Sequence, residues 1–201
     1  MSKVELYSEL FLFFFLPVVL FSTNVLSPEY RHAVLFGVSL LLFFLALRRH
    51  WFNNAINNIT KEKIVLWILT GLTCVVGVIA WSTIMGNPFA GWEDRSYVLW
   101  YILIVSFLQE FVFRKYLHNL LLELTGNKVV IVFVVSLLFG GIHLIYPEPL
   151  TAFILSFGMS VLFSSTYLKA PSLILASIAH AFVNFVAVGY CIVALQSVGC
   201  A

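Results

Sequence analysis

Charge is scarce in this 201-residue chain. Asp, Glu, Lys and Arg make up only 10% of it, against about a quarter in a soluble globular domain. So little polar cover excludes an ordinary water-soluble fold. The net charge of +2 is too small for the basic footprint of a nucleic-acid binder, so no nucleic-acid partner is expected. Cysteine is scarce too, with Cys74, Cys191 and Cys200 alone. Their spacing fits neither a zinc ribbon nor a disulfide framework. Free, packed thiols are the expectation, and a Cys191–Cys200 pair is the alternative. Internal repeats, low-complexity tracts and long linkers are absent. Residues 1–201 therefore read as a single integral-membrane domain.

Apolar residues are what the chain has instead. They make up 62% of it, and the mean hydropathy is +1.03. A helix needs about 20 apolar residues to cross a hydrocarbon core. Seven stretches come near that length: roughly 6–26, 33–47, 64–85, 97–124, 129–146, 150–168 and 171–195. Backbone groups in lipid must be satisfied within their own segment, which makes these stretches helices. The expected fold is all-α, a polytopic membrane bundle of about seven transmembrane helices. The first stretch has no clear small-residue cleavage site after its apolar run, so it reads as a retained span.

Orientation follows from positive charge in alternate loops. Lys3, the 48–63 loop, Arg114 and Lys115, Lys128 and Lys169 fall on one side, and only Arg31 and Arg95 on the other. This predicts a cytoplasmic amino terminus and an outer carboxy terminus. A multi-pass protein of the cell's inner (plasma) membrane is expected, with the lipid bilayer as its first partner.

Inside these greasy segments lie three short polar patterns: Gln109-Glu110-x-x-x-Arg114, Phe139-x-x-x-His143 and His180-x-x-x-Asn184. An ionisable group within a span costs about 2.5–3.5 kcal/mol and faces a partner or a wet cavity. Glu110 and Arg114 are four residues apart and share a helix face, where an ion pair would neutralise both. Gln109 lies about 100° round the helix from Glu110 and can serve a different neighbour. His143 follows two glycines, which permit close approach. His180 and Asn184 share a face and can both donate hydrogen bonds to one spot, an arrangement suited to a developing oxyanion. Each pattern alone also fits plain interhelical hydrogen bonding. Together they predict one intramembrane cavity lined by Gln109, Glu110, His143, His180 and Asn184.

The ordered trio resembles the CAAX protease and bacteriocin-processing (CPBP, or Abi) family of glutamic-type intramembrane endopeptidases. The likeness covers about residues 97–195, while residues 1–96 supply additional helices. It implies a membrane-anchored peptide or protein substrate, no metal and no cofactor. It also implies roles. A carboxylate at position 109, with His143, would activate a water. His180 and Asn184 would stabilise the oxyanion. Arg114 would anchor Glu110, and Phe139 would support the site. The chain departs from the family pattern at position 109, where Gln stands for the first Glu of the pair. A carboxamide accepts no proton near neutral pH and cannot be a general base. Three explanations stand: an engineered inactive form, a natural member without catalysis, or transfer of the role to Glu110. A zinc site of Glu110, His143 and His180 is the metal alternative. A proton-coupled transporter and a non-cleaving membrane binding or regulatory protein are the other classes.

Overall fold

The computed structural model describes every residue except 1, 2, 24, 28, 29, 52–58, 88, 90, 92–95, 147 and 191–201. Its helices are α1 (Lys3–Leu10), α2 (Leu16–Ser22), α3 (Arg31–Arg48), α4 (Lys61–Met85), α5 (Ser96–Glu110), α6 (His118–Leu124), α7 (Lys128–Gly141), α8 (Pro149–Lys169) and α9 (Leu173–Gly189). Among the described residues there is no strand. A π-helical segment, Phe11–Phe15, joins α1 to α2, and a second, Phe111–Leu117, joins α5 to α6. The helices thus form seven rods that coincide with the seven predicted stretches, and the fold is an all-α membrane bundle. The end of the seventh stretch, Arg95 and the Cys191–Cys200 pair lie outside the described residues.

The boundaries follow from local chemistry. Thr60 Oγ1 accepts from the Lys63 amide at the start of α4. Asn127 Oδ1 accepts from the Val129 and Val130 amides at the start of α7. Ser172 Oγ accepts from the Leu175 amide at the start of α9. Each supplies an oxygen to amides that have no partner in the first turn. Helix α4 ends at Gly86, whose φ of 70° is left-handed and open to glycine without strain.

Lys3–Phe21, Lys61–Met85, Lys128–Ile145 and Pro149–Lys169 are long and apolar enough to cross a bilayer. Ala33–Arg48 and Leu173–Gly189 are apolar but shorter. The outward faces carry large apolar side chains such as Phe44, Val76, Ile84 and Val129. Three ionisable groups of the α5–α6 rod lie inside, with Glu110, Arg114 and His118 all but completely buried. This inverted distribution suits a molecule whose solvent is lipid. It also corrects one orientation vote, because Arg114 sits in the middle of the bundle and not at a loop.

Two apolar clusters flank the interior polar groups. One joins α1, α2, α3, the α5–α6 rod and α7 through residues such as Phe14, Leu42, Tyr116 and Val135. The other joins α4, α8 and α9 through Trp67, Val78, Phe163 and Val183. A polar clasp fixes the amino-terminal helices to the α5–α6 rod. Glu9 forms an ion pair with Arg49. Tyr116 Oη donates to Glu9 at 2.8 Å, and Arg49 Nη1 donates to Tyr116 Oη at 3.0 Å. The Arg49 guanidinium also lies 4.9 Å over the Trp51 ring. Every charge in the clasp thus has a partner, as a low-dielectric setting demands.

Candidate active site

The first motif straddles the point where α5 becomes π-helical. Gln109 and Glu110 are the last two residues of α5, and Arg114 lies within Phe111–Leu117. Single π turns are often found at functional sites. Glu110 is fully buried and has two cationic or polar neighbours. His180 Nδ1 lies 2.8 Å from Oε1, and Arg114 Nε lies 3.4 Å from Oε2. The Arg114 guanidinium is sandwiched against aromatic faces, 4.9 Å from the Phe139 centroid and 5.9 Å from that of Phe163. The ion pair expected at i, i+4 is therefore present, with His180 as a third member. Cation–π contacts supplement a pair whose desolvation is costly.

The second motif ends α7. Phe139 and the two following glycines close the helix, and His143 stands in the 3₁₀ turn Ile142–Ile145. Gly140 lies where a Cβ would come within 3.2 Å of the Phe153 carbonyl oxygen, so it admits a neighbouring backbone, while Gly141 packs against the Val18 side chain. His143 Nδ1 is 2.6 Å from the Phe139 carbonyl oxygen. A carbonyl only accepts, so Nδ1 carries the proton and Nε2 presents its lone pair. Tyr146 stacks on the imidazole at 5.6 Å. Phe139 touches both histidines, at 4.8 Å from His143 and 5.7 Å from His180, and so holds the two motifs at a fixed spacing.

The third motif lies on α9. His180 Nδ1 engages Glu110, and Asn184 Nδ2 donates to Ser106 Oγ at 3.2 Å. Ser106 is fully buried on α5, one turn before Glu110. It was missed in the sequence, although its place at i−4 from Glu110 extends the polar face by one step.

All seven residues of the three motifs meet between α5, α7 and α9, but they line two adjoining cavities and not one. The larger, of about 130 Å³, is lined by Gln109, His143, Tyr146 and Asn184 within an apolar wall. The smaller, of about 40 Å³, is lined by Glu110, Arg114, His143, His180, Asn184, Ser156 and Ser160, among others. His143 and Asn184 border both. The division has a local cause: consecutive helical residues diverge by about 100°, so Gln109 and Glu110 face different spaces. Among the described residues no three His, Cys, Asp or Glu side chains are grouped to hold a metal ion.

Much of the larger cavity's wall comes from outside the motif region. Phe13, Phe14, Pro17 and Phe21 of the first rod, with Val34, Leu35 and Val38 of α3, face the motif residues. Nothing in the sequence distinguished these apolar residues from lipid-facing ones.

Residues 91–186 match the family described as type II CAAX prenyl endopeptidase Rce1-like. The match spans all three motifs, and it agrees with the resemblance drawn from their order and spacing. Comparisons with curated proteins and with solved structures found no match.

Proposed function

Residues 91–186 match the Rce1-like family, and from that premise we propose that the chain is a glutamic-type intramembrane endopeptidase whose general base is replaced by Gln109. The observation that carries this reading is the larger cavity, where Gln109, His143 and Asn184 converge behind an apolar wall. The substrate is a membrane-associated peptide or protein tail. A buried, mostly apolar cavity between membrane helices suits such a chain and excludes bulk water.

The chemistry follows from the geometry. The Phe139 carbonyl fixes the His143 tautomer, so Nε2 is the acceptor. A carboxylate at position 109 would share a water with Nε2 and take its proton as the oxygen attacks the peptide carbonyl. Gln109 can hold that water and cannot deprotonate it. Asn184 spends one amide hydrogen on Ser106 and keeps another for the tetrahedral oxyanion. His180 donates to Glu110 through Nδ1, and donation from Nε2 as well requires its imidazolium form. Arg114 holds Glu110, and Glu110 orients His180, so the first motif supports the third.

Glu110 as the base is the second reading. Its Oε2 has no hydrogen-bond partner in the protein, and His143 borders the same small cavity. A non-cleaving family member that binds or regulates a membrane partner is the remaining alternative. The protein is placed in the inner membrane with its amino terminus cytoplasmic, a reading supported by the positive charge around residues 48–63 and at Lys128 and Lys169.

One assay separates these readings. Purified chain and its Gln109→Glu form are incubated with membrane-anchored peptides, and products are read by mass spectrometry. Cleavage by the Gln109→Glu form alone supports inactivation at position 109. Equal cleavage by both, lost on Glu110→Gln, assigns the base to Glu110. Binding without cleavage by either leaves a binding protein.

A further inference from the structure

The smaller cavity has a mostly apolar wall, interrupted by a few buried polar atoms that make no hydrogen bond within the protein. Glu110 Oε2, Arg114 Nε and Nη1, and Ser160 Oγ are all fully buried without a hydrogen-bond partner. An unpaired buried polar atom costs about 1–3 kcal/mol, and more when charged. Ser136, Ser160 and Ser164 all have a buried hydroxyl without a hydrogen-bond partner, and of the three Ser160 borders the cavity. A helical hydroxyl in a membrane has an easy partner in the carbonyl one turn back, and Ser39, Ser82 and Ser177 all use it. Ser160 does not, and its side chain borders the cavity that Arg114 and Glu110 border. The Glu110–Arg114 ion pair, with Arg114 Nη1 and Ser160 Oγ left without a partner, thus borders one space of about 40 Å³. A water needs about 10–15 Å³ measured in this way and two to four polar partners. The space has room for about three waters, and these polar atoms can serve as their partners.

We infer that this cavity is a built internal hydration site, a reservoir of bound water between Arg114, Glu110 and Ser160. It stands behind His143 and supplies the attacking water to the larger cavity. The supply role rests on the proteolytic reading, and the hydration itself does not. His143 and Asn184 border both spaces, so a water leaving the reservoir passes the very groups that activate it. The arrangement answers a physical need. Hydrolysis in a site walled by phenylalanines and valines requires water that the wall excludes. Ser160 is a positioning residue for that water and touches no substrate.

Hydroxyl-radical footprinting in lipid nanodiscs tests the site, because radicals formed from bound water modify side chains close to it. Met159 and Phe163 border the cavity and serve as reporters. Trp67 is as buried as Phe163 but donates its indole N–H to the Ala170 carbonyl and serves as the dry reference. Ser160→Leu fills the space. It should lower labelling of Met159 and Phe163 several-fold and leave Trp67 unchanged. Unchanged labelling of Met159 and Phe163 would overturn the hydration site. If Ser160→Leu does not fold, Ser156→Val fills the same cavity and takes its place. In the Gln109→Glu background the filled form should lose kcat and keep KM. An unchanged kcat with labelling lost would overturn the supply role. Labelling lost in a protein whose Gln109→Glu form cuts nothing would keep the hydration site and remove the proteolytic reading.

Discussion

Gln109 and Glu110 are consecutive residues that open onto different, mostly apolar cavities, and only that of Glu110 is also bordered by Arg114 and His180. The two carboxyl positions of the family pattern therefore do different work. Position 109 faces the space that can take a substrate. Position 110 closes an internal pair with Arg114 and His180. On the proposed reading, the departure at position 109 removes a charge from the reactive side and leaves the supporting side intact.

Restoring that charge should restore chemistry. Gln109→Glu is expected to raise the rate of peptide cleavage by about 10²–10⁴. In that background His143→Ala should return the rate to the starting level, as should His180→Ala. Product formation from membrane-anchored peptides is the readout. Full activity in the His143→Ala form would show that His143 takes no part.

Removing the charge at position 110 should act on stability first. Glu110→Gln strands a buried guanidinium, and breaking a buried pair from one side costs about 3–5 kcal/mol. The melting temperature in detergent should fall, and Glu110→Gln with Arg114→Met should recover most of the loss. A single variant as stable as the parent would mean that the pair contributes nothing to the fold.

Gly141 tests the contact between the first rod and α7. A Cβ added there would lie 2.9 Å from Val18 Cγ1. Gly141→Ala should cost about 1–3 kcal/mol through overpacking, measured by thermal unfolding. Val18→Ala in the same chain should relieve it. No relief would place the strain elsewhere.

Reporter fusions check the orientation. Fusions in the 48–63 loop should report the cytoplasm, and fusions after Leu195 the outer side. A cytoplasmic carboxy terminus would mean that the number of crossings is even.

The seven rods were legible because hydrophobic length is a direct consequence of bilayer thickness. The ion pair of Glu110 and Arg114 was legible from i, i+4 spacing. The link from Glu110 to His180 was not, because spacing along one helix says nothing about which neighbouring helix it faces. The π-helical turn at Phe111–Leu117 was hidden for a related reason. Its residues are ordinary helix formers, and the widening accompanies the burial of Arg114 and Tyr116 against other rods. His118 passed unnoticed as well. It is buried on the same face one turn beyond Arg114, with its ring 5.4 Å from that of Tyr167. The division of the site into two spaces depended on side-chain directions that only packing determines.

Phe13, Phe14, Pro17 and Phe21, with Val34, Leu35 and Val38, belong to helices that precede the family segment 91–186. A protein trimmed to that segment would retain the glutamine, both histidines and the asparagine, and acyl chains would flood the place where a substrate belongs. The reacting parts and their container are thus carried by separate stretches of the gene. Exchange of residues 3–48 between relatives is a route by which the choice of substrate could drift while the chemistry stays put.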